Sequence, residues 1–165
     1  MIAIAFVLYT QFNLRAEAGK EKYDYITGNV LSVLDGDSIR FQASHGDLTI
    51  ELRGIDAPEL GQKFGKHARH YLSELINSKK VTIAMKADHR DGILRGEIFL
   101  DGVSINKLLL KDGFAWARRG SSGNRSWISI EKQARDHRFG LWRQHDAMAP
   151  WEYRELVLEG VGATP

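Results

Sequence analysis

The sequence predicts an α+β domain built on a small Greek-key barrel: five strands, a helix inserted after the third, and further helices behind them. Three patterns carry that expectation. Residues alternate at period two through "YITGNVLSVLDGDSIRFQASHGDLTIELRGIDAPE". Apolar residues recur at three- and four-residue spacing through "GQKFGKHARHYLSELINSKK". Two alternating runs then flank Asp91-Gly92, a dipeptide suited to a tight hairpin turn.

In chain order, Val30, Ser32 and Leu34, then Ser38, Arg40 and Gln42, mark two strands. Turns are expected at Asp35-Gly36-Asp37 and His45-Gly46-Asp47, so the first three strands form a meander ending near Gly54. Phe64, Ala68, Leu72, Leu75 and Ile76 place one amphipathic helix after it. The Asp91-Gly92 hairpin supplies the fourth and fifth strands. "VSINKLLLKDG" reads as a short helix stopped by Gly113, and "FAWARRGSSGNRS" as a short strand entering a basic loop. "WISIEKQARDHRFGLW" reads as a third helix with Gly140 as its C-cap, and "PWEYRELVLEGVGATP" as a tail with a frayed end.

At 165 residues the chain holds one domain with a real core. Its 43% apolar and 27% charged residues suit a soluble globular protein. A formal charge of +2 permits a polyanionic partner without arguing for one. With no cysteines, disulfides, zinc thiolates and thiol nucleophiles are excluded. The start "MIAIAFVLY" is apolar but too short to span a bilayer, and "AEA" at 16–18 has the form of a signal-peptidase site. The expectation is a leader over 1–18, a domain over 19–157, a frayed end over 158–165 and a secreted or periplasmic location. No stable membrane span is expected beyond an N-terminal anchor, should the leader stay uncleaved.

"VLDGDSIRF", "LRGIDAPE", "KFGKHA", "FLDGVSIN", "GFAW" and "GLW…PWEYR" occur in an order and spacing that resembles staphylococcal nuclease-like domains, over about Tyr25 to Arg154. The resemblance implies an OB-fold barrel of five strands with three helices. It implies Ca²⁺-dependent cleavage of DNA and RNA, by a chain expected to be monomeric. By the family's motif, Asp37, Asp56 and the carbonyl of Ala57 are calcium ligands, Glu59 orients or deprotonates the attacking water, and Asp35 is an outer acid. The donor chemistry agrees, since Ca²⁺ takes six to eight oxygens and these leave room for water and phosphate.

The resemblance also implies two arginines that clamp the phosphate. Counting back from Asp56 and from Gly102, those positions hold Glu51 and Ile93. Removing one such donor typically slows a reaction by about 10²–10³; two losses reach on the order of 10⁴–10⁶, although such effects are not additive. Arg53 and Arg95 each stand two residues further on, displaced by roughly 6.5–7 Å along a strand face, and are the candidate replacement clamps. Arg90 is a further one. The competing expectation is that Arg53 pairs with Glu51 or a neighbouring acid and that Arg95 is an exposed strand residue.

Arg118, Arg119 and Arg125 in "RRGSSGNR" suit either a nucleic-acid backbone or plain solvent. The six histidines show no metal spacing, and Trp142 and Trp151 read as docking anchors. Two functions therefore stand open. One is an extracytoplasmic nuclease. The other is an inactive module of the same fold that binds an anionic ligand or a protein, or serves a repurposed pathway such as exopolysaccharide biosynthesis.

Overall fold

A computed structural model describes residues 23–86, 93–119 and 125–160. The expected leader, Arg90 and the Asp91-Gly92 turn lie outside the described residues.

β1 (Tyr23–Val33), β2 (Ser38–Ala43) and β3 (Gly46–Leu52) form the antiparallel meander. A two-residue piece, β4 (Ile55–Asp56), follows. β5 (Lys80–Lys86) pairs antiparallel with β1 and with β6 (Arg95–Leu100). A parallel pairing of β6 with β3 closes the strands into a ring, and β7 (Val103–Ser104) adds to β6. β8 (Trp116–Ala117) pairs with β4 in a separate small sheet. The fold is OB-like α+β.

Alternation sorts the ring into two faces. Ile39 and Phe41 of β2 and Ile50 and Leu52 of β3 are buried, whereas Arg40, Gln42 and Thr49 are exposed. Glu51 therefore lies on the outer face. The inward residues join Val30, Ile83 and Ile98 in one core, capped by Ala68, Leu72 and Ile76 of α1 (Gly65–Ile76) and Ile105, Leu109 and Leu110 of α2 (Ile105–Lys111). Cutting Ile50 to alanine in such a core costs about 2–5 kcal/mol.

α1 lies within the span the sequence spacing marks, with Phe64 as its N-cap, and its buried residues Gly65, Ala68, Leu72 and Ile76 recur at three- and four-residue spacing. Ser104 accepts the Lys107 N–H to cap α2, and Gly113, at φ 74°, lies just beyond its end. α3 (Arg125–Asp136) buries Trp127, Glu131 and Ala134. A 3₁₀ turn (Gly140–Arg143) and α4 (Pro150–Leu158) follow.

Three local expectations change. The described residues hold four α-helices, not three. The fourth occupies what the sequence reading took for tail: Pro150 opens it, and Glu152 reaches back to accept the Ala149 N–H at 3.2 Å. Gly140 is not the C-cap of α3, which ends at Asp136, with Arg138 in the left-handed conformation (φ 55°). Gly140 opens the 3₁₀ turn instead, where a Cβ would stand 2.6 Å from the Asp112 carbonyl oxygen. Ile93 and Leu94 precede β6 and are not in a strand, so strand geometry does not relate Ile93 to Arg95.

Candidate active site

The acidic residues gather where two loops meet. The Asp35-Gly36-Asp37 turn between β1 and β2 is shaped by its first acid, whose Oδ1 accepts the Asp37 N–H at 3.0 Å. The turn is tied to the segment after β4 by the Ala57 N–H, which donates to Asp37 Oδ2 at 2.8 Å. Gly36 permits this approach, because a Cβ there would meet the Cβ of Ala57 at 2.6 Å and that of Ala68 at 2.9 Å. Below the segment, a Cβ on Gly65 would overlap the Glu59 carbonyl oxygen, so the first residue of α1 has to be small. Gln62 fixes the far end, accepting the Glu59 N–H at 3.1 Å and donating to the Met148 carbonyl at 2.6 Å.

Asp37 and Asp56 are thereby neighbours, and Glu59 lies one short step along the same segment. Asp56 is almost fully buried. Loss of water around the Asp37 carboxyl pushes its pKa well above the ordinary aspartate value, and the charges of Asp35 and Asp56 push the same way against the opposing Ala57 hydrogen bond.

A guanidinium from α4 answers this charge. Arg154 donates through Nη2 to Asp56 Oδ2 at 2.8 Å, and through Nη1 to Asp56 Oδ1 at 3.1 Å and Glu59 Oε1 at 2.6 Å. The bond to Asp56 is the main reason its pKa rises above the usual arginine value. Sequence reading attached no role to Arg154, which stands 98 residues from Asp56. The sole signal was its place in "PWEYR", and no local pattern could carry it across the fold.

Arg95 opens β6, and Arg53 lies in the turn just past β3, so strand geometry does not relate Arg53 to Glu51 either. The register sets Glu51 opposite Arg95, and Arg95 Nε donates to Glu51 Oε2 at 2.9 Å. Arg53 lies 3.7 Å from Glu97 and over the Tyr23 ring, 5.1 Å from its centroid. The fully buried Asn106 clamps the backbone here, donating to the Arg53 carbonyl at 2.9 Å and accepting the Ile98 N–H at 2.9 Å. The structure thus brings Asp37, Ala57, Asp56 and Glu59 together and holds Arg53 and Arg95 against partners of their own.

β8 contributes two more arginines. Arg118 donates from Nε to the Ile55 carbonyl at 2.9 Å, and its Nη2 stands 3.9 Å from Glu51. Arg119 pairs with Glu131 at 3.0 Å. Glu131 is buried, and also accepts the Ala117 N–H at 2.8 Å and Arg135. Arg118, Arg119 and Arg154 line a cleft of about 420 Å³ together with Asp56 and Trp151. Trp142 is buried, as expected, with Trp116, Ala134, Leu141 and Ala149 in a second apolar cluster. Trp151 packs against that cluster while remaining on the cleft.

The residues fit a hard divalent cation in donor type: two carboxylates, a backbone carbonyl and a local excess of negative charge. Among the described residues, though, no three Asp, Glu or His side chains converge on one point. Arg154 also takes both oxygens of Asp56, so an incoming ion shares Asp56 with it or displaces it.

An OB-like ring carries an acidic loop junction beside an arginine-lined cleft. The family model described as staphylococcal nuclease homologue matches residues 49–144. A micrococcal nuclease of Shigella flexneri is 33% identical over 138 residues, covering 77% of this chain and 79% of that one. A protein of Escherichia coli O157:H7 described as an uncharacterized endonuclease is 32% identical over 130 residues, covering 78% and 85%. The chain belongs to the staphylococcal nuclease family. No helix among the described residues is long and apolar enough to cross a membrane.

Proposed function

We propose that this chain is a Ca²⁺-dependent phosphodiesterase that hydrolyses DNA and RNA. The observation that carries the reading is the docking of the Asp35–Asp37 turn on the Asp56–Glu59 segment through the Ala57 N–H, which gathers the acids in a chain of this family. Asp37, Asp56 and the Ala57 carbonyl would hold the ion. When bound, it polarises a phosphoryl oxygen and favours attack by water. Glu59 would take the proton of that water as the water oxygen bonds to phosphorus, the phosphorus–oxygen ester bond breaks, and the leaving oxygen takes a proton from solvent. Arg154 holds the Asp56 and Glu59 carboxylates in position. Phosphate clamping by Arg53 and Arg95 requires each to leave an acid partner, Glu97 and Glu51. An extracytoplasmic setting is part of the proposal and rests on the leader alone; the N-terminal residue of the exported protein tests it.

The same ion pairs favour the second reading, a family member without turnover that binds an anion or a protein, or serves another pathway. One experiment separates the two. The purified chain is incubated with single-stranded DNA and with RNA, in Ca²⁺ and in chelator. The nuclease reading expects Ca²⁺-dependent cleavage that is lost in Glu59→Gln; an inert chain, or cleavage untouched by that change, removes it.

A further inference from the structure

We infer that the cleft between β8 and α4 is the binding site for a single-stranded nucleic-acid segment, with Arg118 and Arg119 on its phosphates and Trp151 against a base. The inference rests on the nuclease reading for the class of ligand and deepens it by assigning the phosphate contacts to residues other than Arg53 and Arg95.

Charge comes first. The cleft lining holds three arginines and one aspartate. The acids behind them, Glu51, Glu59 and Glu131, are themselves met by Arg95, Arg154 and Arg135. Arg154 is taken up by Asp56 and Glu59, which leaves Arg118, 3.9 Å from Glu51, and Arg119, which shares Glu131 with Arg135, to meet a ligand in the cleft.

Preorganisation comes second. An arginine carries five donors in a rigid fork suited to phosphate. Arg118 is steered by its Nε bond to the Ile55 carbonyl, and its Nη2 lies 3.9 Å from Glu51, outside hydrogen-bond reach. Arg119 is steered by the buried Glu131. Holding side chains in place before a ligand arrives reduces the ordering cost of binding.

Shape comes third. A volume of about 420 Å³ lies within the range of roughly 300–1,000 Å³ usual for small-ligand sites. Trp151 is a half-buried indole on the cleft lining, and an unpaired base stacks on an aromatic side chain where a base in a duplex cannot. Asp56 on the same lining places the bound phosphates next to the acidic centre.

The test is binding without turnover. A fluorescent single strand of about ten nucleotides is titrated with the full chain in chelator, across a range of salt, and followed by anisotropy. Arg118→Gln should weaken binding about tenfold and reduce the slope of log K against log salt by about 0.7, the loss of one phosphate contact on a single strand. Arg119→Gln should do the same; Arg119→Lys, which keeps a charge beside Glu131, guards against misfolding and should recover the slope but not the full affinity. Trp151→Leu should weaken binding with an unchanged salt slope. Arg40→Gln, on the far exposed pair with Asp47, should change nothing. The inference is overturned if the wild type does not bind the strand at low salt. It is equally overturned if Arg118→Gln and Trp151→Leu bind as well as wild type, or if Arg53→Gln and Arg95→Gln weaken binding more than they do, and any of these can occur while Ca²⁺-dependent cleavage is observed. Binding lost as described in a chain that never cleaves upholds the cleft and removes the nuclease reading.

Discussion

Two clusters of carboxylate and arginine arise from neighbouring residues of this chain, and they behave oppositely. Beside the β3–β6 pairing, Glu51 meets Arg95, and Arg53, in the turn just past β3, meets Glu97, which Lys107 also meets. At the loop junction, Asp35 and Asp37 lie beside Asp56, and Arg154 meets Asp56 and Glu59. In the first cluster every acid is met by at least one base, and Glu51 and Glu97 each have a second one nearby, Arg118 and Lys107. The second carries surplus negative charge in partly desolvated surroundings, which a further cation would relieve. Charge type alone does not mark a site; the balance across the fold does.

The largest effect expected from the acidic cluster is on rate. Glu59→Gln should lower kcat by about 10²–10⁴, as the loss of a general base does, while oligonucleotide affinity in chelator stays at the wild-type value. A parallel fall in affinity would show that Glu59 serves binding rather than chemistry.

Next is the loss of the counter-charge. Arg154→Ala leaves the buried Asp56 without its partner. Breaking a buried pair costs about 3–5 kcal/mol; with the Arg154 side chain 44% exposed, water screens the interaction and about 1–3 kcal/mol is the fitting range. Thermal unfolding in chelator should fall by about 2–4 °C per kcal/mol, and Ca²⁺ should recover part of it. An unchanged Tm would mean that Arg154 is ornamental.

A pH-dependent effect follows from Asp37. Its folded pKa is raised above the ordinary 3.8, so the folded state holds the proton more tightly than the unfolded chain. That contribution to stability is fully present below the unfolded pKa and is lost as pH rises through the folded value. In chelator at neutral pH, Asp37→Asn should therefore melt higher than wild type, with the gap closing toward about pH 4. Ca²⁺ should reverse the order by stabilising only the wild type. A gap that widens on acidification would contradict the assignment.

The smallest effect belongs to the first cluster. Glu51→Gln frees Arg95 and Arg118 from one negative charge. Stability should shift by no more than about 1 kcal/mol, as for a part-exposed pair. Oligonucleotide affinity should rise a few-fold, measured by the same anisotropy titration.

Much of this was legible in the sequence because it is local. Period-two alternation marked the strands that turn Ile39, Phe41, Ile50 and Leu52 inward, and three- and four-residue spacing marked the helix that carries Ala68, Leu72 and Ile76 into the core. The ordered motifs pointed to Asp37, Asp56, Ala57 and Glu59, which the fold brings together. What the sequence could not express was pairing between distant segments. The parallel register that sets Arg95 against Glu51, the reach of Arg154 from α4 to Asp56, and the joining of β8 to β4 are all contacts across the fold. The competing expectation for Arg53, pairing with a neighbouring acid, matches its contact with Glu97, a residue 44 positions away in the chain. The fourth helix was missed for a different reason: its start signals, Pro150 and Glu152, are followed by a turn-length pattern with little amphipathic contrast, and only Pro150 is buried.

The difference between the two clusters is tested most directly by calorimetric titration of the metal-free chain with Ca²⁺. The account predicts one binding event that is lost in Asp37→Asn and in Asp56→Asn, strengthened in Arg154→Gln, and unchanged in Glu51→Gln. Undiminished Ca²⁺ binding in the two aspartate variants, or its loss in Glu51→Gln, would contradict it.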